Sequence, residues 1–416
     1  MFKQLAGSLI SILLVFSSCI EITRPYSKIP PGIWRGELTL EKDAILPFNF
    51  DISYDADDEL IMTIHNAEER IVIDDISFGR NKKLKDTLVI DFVILDTYLD
   101  LEYKENVLEG FWYVPNREDY KKIPFVAFFG KNHRFSTDKK APLYDVEGIW
   151  ATQFEIETAD EYTAIAEFKT DENFLTGTFR TETGDYRFLE GTVQGDQLSL
   201  SVFDGSHAFL FTSKLMEDKT LIGKFYSGNH YKTNWIAKKN PNAELKNPST
   251  LTTIMTLDNR IALELPNTDG QLVNIAKGKY EDKAKILMVM GTWCPNCLEE
   301  SKYVIEYLKE NKLSNIEVLA VAFERHKDPI KAKKMIERYK ERLNIPYEIL
   351  YGGTSSKEEA TEVLGFVNEI SSFPTTFFIN AKNEVQSVHT GFNGRATSKF
   401  EEFESYFENQ IKALTN

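Results

Sequence analysis

Two cysteines, Cys294 and Cys297, stand two residues apart in the run Gly291-Thr292-Trp293-Cys294-Pro295-Asn296-Cys297. That spacing puts both sulfurs on the first turn of a helix, close enough to bridge. Unpaired backbone N–H groups and the positive end of the helix dipole then face the first sulfur. Such a site draws a thiol pKa down to somewhere in about 3.5 to 7.5. Cys294 is therefore the expected exposed nucleophile, and Cys297, one turn inward, the thiol that resolves a mixed disulfide. Pro295 is tolerated between them because a first-turn N–H has no partner to lose. Paired cysteines also bind zinc, but a tetrahedral site needs two more ligands, and neither another cysteine nor a histidine stands close by in the sequence. No metal and no other cofactor is expected.

The pair needs a strand before it and a helix after it, and both are legible. Lys285 to Met290 is a buried-strand run, Asn296 to Leu313 has helical periodicity through Leu298, Val304, Ile305 and Leu308, and Ile316 to Phe323 is a second apolar strand. Strand, helix, strand implies a parallel pair. A helix over Pro329 to Leu343, a strand over Tyr347 to Leu350 and a short helix near Lys357 to Phe366 follow. A hairpin from Thr375 to Ile379 and Val385 to His389 comes next, and an amphipathic helix through Phe400, Phe403, Phe407 and Ile411 closes the chain. The order is thioredoxin-like with a strand and a helix inserted.

At this point the sequence resembles the thioredoxin superfamily, and more narrowly the extracytoplasmic disulfide reductases of the TlpA and ResA type, over about residues 258–416. The resemblance rests on Trp293-Cys294-Pro295-Asn296-Cys297, on Asp269-Gly270, on Ser372-Phe373-Pro374-Thr375-Thr376-Phe377-Phe378 and on Thr390-Gly391-Phe392-Asn393-Gly394. It implies that Pro374 is cis and faces the disulfide, that the backbone of Phe373 pairs with a substrate strand, and that Trp293 and Pro295 help form the substrate surface. It also implies a working carboxylate three residues after the second cysteine, here Glu300. At i+3 this residue shares a helix face with Cys297 and is placed to exchange a proton with that thiol, while Glu299 points about 100° away. An ordinary exposed helix carboxylate is the competing reading of Glu300. Cytoplasmic thioredoxins place an acid where Met288 stands here, and a peroxiredoxin needs a Pro and a Thr or Ser at set spacings before its cysteine, which the run Met288 to Trp293 does not supply.

The rest of the chain reads differently. Gly32-Ile33-Trp34 returns 116 residues later as Gly148-Ile149-Trp150, and Leu108-Glu109-Gly110-Phe111-Trp112-Tyr113 has a partner 113 residues later in Leu221-Ile222-Gly223-Lys224-Phe225-Tyr226. This is an internal duplication. Alternating runs such as Leu198 to Val202, separated by turns such as Gly195-Asp196 and Asp204-Gly205, make each copy an antiparallel meander, folded as a sandwich or a barrel or joined with its twin in one larger sheet. Aromatic residues including Phe111, Trp112, Tyr113, Phe128 and Phe129 line a ligand cavity or, as period-two aromatics in strands commonly do, form core. Lys131, Arg134, Lys139 and Lys140 at the junction of the copies read as a solvated loop.

At the amino terminus, Lys3 precedes an apolar run from Leu5 to Phe16 that ends in Ser17, Ser18 and Cys19. Small residues directly before Cys19 resemble the lipobox of bacterial lipoproteins, in which the thiol is alkylated by a diacylglycerol and the preceding signal is removed; Phe16 stands where Leu is usual. About twelve apolar residues at 1.5 Å each fall well short of a roughly 30 Å hydrocarbon core, so a permanent span is disfavoured. The divisions expected are 1–18 signal peptide, 19–31 tether, 32–140 and 144–240 the two β repeats, 241–257 a linker rich in Asn and Pro, and 258–416 the thioredoxin-like domain.

Composition bounds the function classes. With 416 residues the chain is long enough for two to four domains. Hydrophobic residues at 42% and charged residues at 27% exclude wholesale disorder and a multi-span membrane protein. A formal charge of -15 makes nucleic acid a poor partner. The expectation is a thiol-disulfide oxidoreductase, lipid-anchored in the cell envelope, that reduces disulfide-containing exported proteins and is regenerated by a membrane thiol electron donor. Its rivals are an oxidase or isomerase using the same pair, and a surface protein whose β repeats bind a ligand while the redox domain is accessory.

Overall fold

The computed structural model describes residues 26–415 apart from 116, 118–120 and 314. The apolar amino-terminal run and Cys19 lie outside the described residues.

The first β unit is a meander of nine antiparallel strands, from Gly32–Glu41 to Lys122–Phe129. Its last strand returns to pair with its first, setting Phe129 opposite Trp34, but Glu69–Ile73 and Ile76–Arg80 do not pair with each other, so the sheet curls into an open half-barrel. The second unit, Gly148–Phe154 to Tyr231–Lys239, closes. Phe154 lies opposite Trp235 in the pairing of its first and last strands, and Tyr162–Asp171 pairs with Phe174–Thr181, giving an eight-stranded barrel with the two-residue strand Gly184–Asp185 appended. Of the sandwich and barrel alternatives, the barrel is what forms.

The copies keep equivalent residues in equivalent strands. Trp34 and Trp150 occupy the opening strands, and each indole N–H donates to a carbonyl four residues earlier, Pro30 O at 3.2 Å and Val146 O at 2.8 Å. Gly110 and Gly223 occupy the penultimate strands, where a Cβ would lie 2.0 Å from Asp100 O and 2.1 Å from Thr212 O. No side chain fits at either place.

Aromatic rings fill the closed barrel: Phe179 stacks on Phe211 with centroids 4.5 Å apart, and Phe211 on Phe225 at 4.4 Å. Of the aromatics singled out in the first copy, Trp112 is core and Phe111, Tyr113, Phe128 and Phe129 are half-buried. The half-barrel is completed from outside. Phe203, at the end of a strand of the second unit, inserts among Phe48, Phe92 and Trp112 of the first, with ring centroids at 4.6, 5.6 and 5.1 Å. The two units thus share a buried core.

Arg134 corrects the reading of the junction as a solvated loop. Lys131, Lys139 and Lys140 are exposed, but Arg134 is buried. Its guanidinium donates to Asn66 Oδ1 at 3.1 Å and His65 O at 3.1 Å in the first unit, and to Ser201 Oγ at 3.0 Å and Ser201 O at 3.1 Å in the second, with Glu190 at 3.3 Å as its counter-ion. The cluster reads as solvated from its neighbours' charges alone; the hydrogen-bond partners of the guanidinium, Asn66 and Ser201, lie 68 and 67 residues away in opposite directions.

The carboxy-terminal domain has a five-stranded sheet in the order Glu348–Thr354, Ile316–Glu324, Ala284–Met290, Thr375–Ile379, Val385–Thr390. The first three strands are parallel and the last two antiparallel. Helices α1 (Pro295–Glu310) and α2 (Pro329–Leu343) make the crossovers, α3 (Lys357–Leu364) follows the outer strand, and α4 (Phe400–Thr415) closes the domain. Every residue of the central strand Ala284–Met290 is buried, Met288 included, as its unbroken apolar pattern requires. The helices begin where their caps dictate: Asp328 accepts from Ile330 N at 2.9 Å and Ser356 from Glu359 N at 3.1 Å. The insertion expected from the sequence is present as α2 and the strand after it.

Replacing Arg134 with Met leaves Glu190, Asn66 and Ser201 without their partner in a buried site, and should lower unfolding stability by about 3 to 5 kcal/mol. Lys131→Met should stay within about 0.5 kcal/mol of wild type. Denaturant unfolding followed by tryptophan fluorescence measures both; equal small effects would return Arg134 to the surface.

Candidate active site

The central strand ends at Met290, and the chain turns through Gly291 to Trp293 into α1. Cys294 is the N-cap of that helix, with φ −98° and ψ 114°, and Pro295 is its first residue, as the spacing required. Cys297 N–H donates to Cys294 Sγ at 3.4 Å. Both cysteines are free thiols and both are buried, Cys294 at 7% exposure and Cys297 at 0%. The expectation of an exposed Cys294 is therefore not met; the second β unit meets the residues on either side of it, Trp293 and Asn296.

The Phe373–Pro374 peptide is cis. Phe373 O lies 3.5 Å from Cys294 Sγ, and the Phe373 ring meets Trp293 edge-on at 5.9 Å. The Trp293 indole N–H donates to Phe323 O at 2.9 Å, which fixes the ring beside the thiol. Trp293, Cys294, Pro295, Cys297, Phe373 and Pro374 are thus brought together as the sequence suggested.

The two thiols sit in opposite electrostatic environments. Cys294 is held below the ordinary thiol range, first by the hydrogen bond from the Cys297 thiol, against burial, and further by the N–H groups of Cys297 and Asn296 and the charge of Arg325. Cys297 is pushed well above that range by burial first, then by its bond to Cys294 and the Cys294 charge, with Glu300 adding to the effect. Of the two, the outer sulfur gives up its proton first.

Glu300 is buried at 1% exposure rather than displayed on the surface. Its Oε1 accepts from the Thr376 hydroxyl at 2.8 Å, and Oε2 has no protein partner. Burial raises its pKa to about 8, with the Thr376 bond pulling the other way. A carboxyl that titrates there, one turn from Cys297, is matched to exchanging a proton near neutrality. Glu299 does point away from Cys297, but it is also buried, in an ion pair with Arg187 of the second β unit and accepting from Arg395 N at 2.8 Å.

Two site residues were not anticipated. Glu324 ends the strand Ile316–Glu324 and accepts from Thr292 N at 3.0 Å and Thr292 Oγ1 at 2.7 Å; burial raises its pKa to about 7. Arg325 follows it, its guanidinium 4.5 Å over the Trp293 ring. The signal was available: a Glu-Arg pair directly after an apolar run marks the carboxyl end of a parallel strand, where α/β sheets place their ligands.

Among the described residues no group of three or more His, Cys, Asp or Glu is arranged to hold a metal. The described chain therefore offers the thiol pair, flanked by two buried acids and a cation, as its chemical equipment.

Comparison with known proteins agrees with this geometry. Residues 258–388 match the AhpC/TSA family. The chain is 30% identical over 112 residues to the thiol-disulfide oxidoreductase ResA of Geobacillus kaustophilus, a match covering 27% of this chain and 57% of the relative. It is 25% identical over 127 residues to ResA of Bacillus subtilis, covering 30% of this chain and 63% of the relative. The chain thus spans somewhat more than half the length of these relatives. Among solved structures, a thiol-disulfide oxidoreductase from Bacteroides fragilis overlaps 35% of this chain and 98% of its own at 18% identity with a TM-score of 0.26. A thiol:disulfide interchange protein of the thioredoxin family from Chlorobium tepidum overlaps 39% of this chain and 100% of its own at 17% identity with a TM-score of 0.30. The carboxy-terminal region is a thioredoxin-like domain homologous to the ResA thiol-disulfide oxidoreductases.

Glu300 loses its proton near pH 8, before Cys297 does, so its negative charge is present while Cys297 titrates and raises that pKa. Glu300→Gln should therefore lower the apparent pKa of Cys297, while Glu299→Gln leaves it nearly unchanged. Thiolate absorbance against pH in the reduced protein reads both; superimposable curves for wild type and Glu300→Gln would mean that Glu300 does not act on the thiol.

Proposed function

We propose that the protein is a thiol-disulfide oxidoreductase that reduces disulfides in other exported proteins. The observation that carries this is the pairing of a low-pKa thiol at a helix N-cap with a buried high-pKa thiol one turn inward, beside the Phe373–Pro374 bond. Cys294 thiolate attacks one sulfur of a substrate disulfide, forming a mixed disulfide and releasing the other sulfur as a thiolate. Cys297 gives up its proton, to Glu300 in its ionised form, and displaces the substrate's remaining sulfur. The substrate has then gained two electrons, and Cys294 and Cys297 are left as a disulfide. An external dithiol, expected to be a membrane electron donor, must reduce it for the next cycle.

Each neighbour has a part in this account. Arg325, held over Trp293, favours the Cys294 anion. The groove beside Phe373 and Pro374 orients the substrate strand. The reductive direction follows from the resemblance to the TlpA and ResA group. The aromatic packing inside the closed barrel favours a structural role for the β units over ligand storage.

Cys297→Ser should accumulate substrate proteins as mixed disulfides on Cys294, and Cys294→Ser should trap nothing; a non-reducing gel distinguishes them, and equal trapping would contradict the roles assigned. A reduction potential of the pair well above about −200 mV would reverse the proposed direction.

We also propose that the protein is anchored in the cell envelope by a lipid on Cys19, on the strength of the short apolar run and small residues before it. Mature protein should partition into detergent and Cys19→Ser should release it. An intact-mass spectrum with an unmodified amino terminus would refute the anchor.

A further inference from the structure

The substrate face of the redox domain consists of three loops: Trp293 to Asn296, Ser372 to Pro374, and Gly391 to Gly394. The second β unit touches all three. Ser206 Oγ donates to Trp293 O at 3.2 Å, and Asn296 Nδ2 donates to Asp185 O at 3.5 Å. Ser372 Oγ donates to Thr183 O at 2.9 Å, and Gly394 N–H donates to Asp185 Oδ2 at 2.8 Å. The approach is tight enough to exclude side chains. A Cβ on Gly391 would stand 2.7 Å from the Thr183 carbonyl, and one on Gly184, whose φ is +149°, would stand 2.3 Å from Asn296 Nδ2.

We propose that the hairpin turn from Thr181 to Arg187 is an internal occupant of the substrate groove, clasped there by Arg187, so that a protein disulfide reaches Cys294 only when the hairpin withdraws. This rests on the function proposed above for the identity of the groove. The clasp is one buried guanidinium that pairs with Glu299 on α1 and with Glu69 in the first β unit.

Two features make the contact reversible in kind. It is polar: the buried apolar cluster of the redox domain contains no residue of the second β unit, and that barrel's own cluster contains none of the redox domain. Polar contacts exchange for water with far less penalty than an apolar core, which is why such interfaces within a chain allow domains to part. The groove also presents donors, the Ser372 hydroxyl, the Asn296 amide and the Gly394 N–H, which the hairpin satisfies with two carbonyls and one carboxylate. A substrate segment that replaces it must bring acceptors of its own, or leave those donors unpaired.

The test compares alkylation of Cys294 in the reduced full-length protein by a small reagent, iodoacetamide, and a bulky one, a 5 kDa polyethylene glycol maleimide (about protein-sized reach), with the modified residue identified by mass spectrometry. In wild type the bulky reagent should lag; in Arg187→Met and in Gly184→Val its rate relative to iodoacetamide should rise at least about tenfold, with insulin disulfide reduction rising in parallel. Gly184→Val carries the test if Arg187→Met does not fold, since Gly184 lies outside the barrel's apolar cluster. Reagent ratios equal to wild type in a folded variant would overturn the proposal. Its failure is separable from that of the redox reading: loss of mixed-disulfide trapping by Cys297→Ser would sink the latter and leave the reagent ratios as they are.

Discussion

Arg187 is a cation with almost no contact with water, and the arrangement of the chain is organised around neutralising it. A guanidinium does not give up its proton at neutral pH, so its burial has to be matched by anions in place. Glu69 comes from the start of a strand of the first β unit, Glu299 from α1 of the redox domain, and Asp185 and Asp204 from the barrel that carries Arg187 itself; together they raise its pKa against its burial. The three parts of the protein therefore meet at one charge. Deleting one of these carboxylates while the site stays closed would strand a charge in a low-dielectric site, an effect on the order of 3 to 5 kcal/mol.

That same junction stands next to the reactive sulfur, and the two problems are solved with different chemistry. Around Arg187, carboxylates are paired with a cation, although burial still lifts Asp185 to about 6. Beside the thiols, Glu300 and Glu324 have no such cation as a direct partner, and burial raises them to about 8 and about 7. One helix shows both outcomes in neighbouring residues. Glu299 faces the β unit and pairs, and Glu300, rotated by about 100°, faces the sheet and holds its proton. The opposite shifts of the outer and inner thiols follow from the same helix: Cys294 receives the unpaired N–H groups of the first turn, and Cys297, inside that turn, receives none of them and borders a potential anion.

What could be read from the sequence was what short spacing encodes. The Cys294 and Cys297 pair, the i+3 relation of Glu300, the alternation of strands and helices in the redox domain and the duplicated Trp and Gly positions all depend on residues within a few turns of one another or on a repeated pattern. Arg187 and Arg134 escaped because their meaning is set by partners far along the chain: 112 residues separate Arg187 from Glu299, and 68 separate Arg134 from Asn66. In a local window both are charged residues near turns, and solvent is the natural expectation. The contacts of the second β unit beside Cys294 escaped for the same reason: 87 residues separate Ser206 from Trp293, and 111 separate Asp185 from Asn296.

The duplication explains why the cover is the second copy and not the first. The closed barrel has a complete aromatic core of its own, so the loops at its rim are free to be polar and to carry Asp185, Arg187 and Ser206 toward the redox domain. The open copy cannot do this alone. Its open sheet leaves apolar surface against which Phe203, Ala208, Leu210 and Tyr226 of the second unit pack, so the first copy is tied to the second through a shared apolar core. Burial of this kind does not yield to water, whereas the hydrogen bonds and ion pairs that join the second unit to the redox domain do, and the apolar contact there from the first unit is that of Ile94. If the molecule opens, it therefore opens along the polar seam, with the two β units moving together and the thiol pair exposed on the other side.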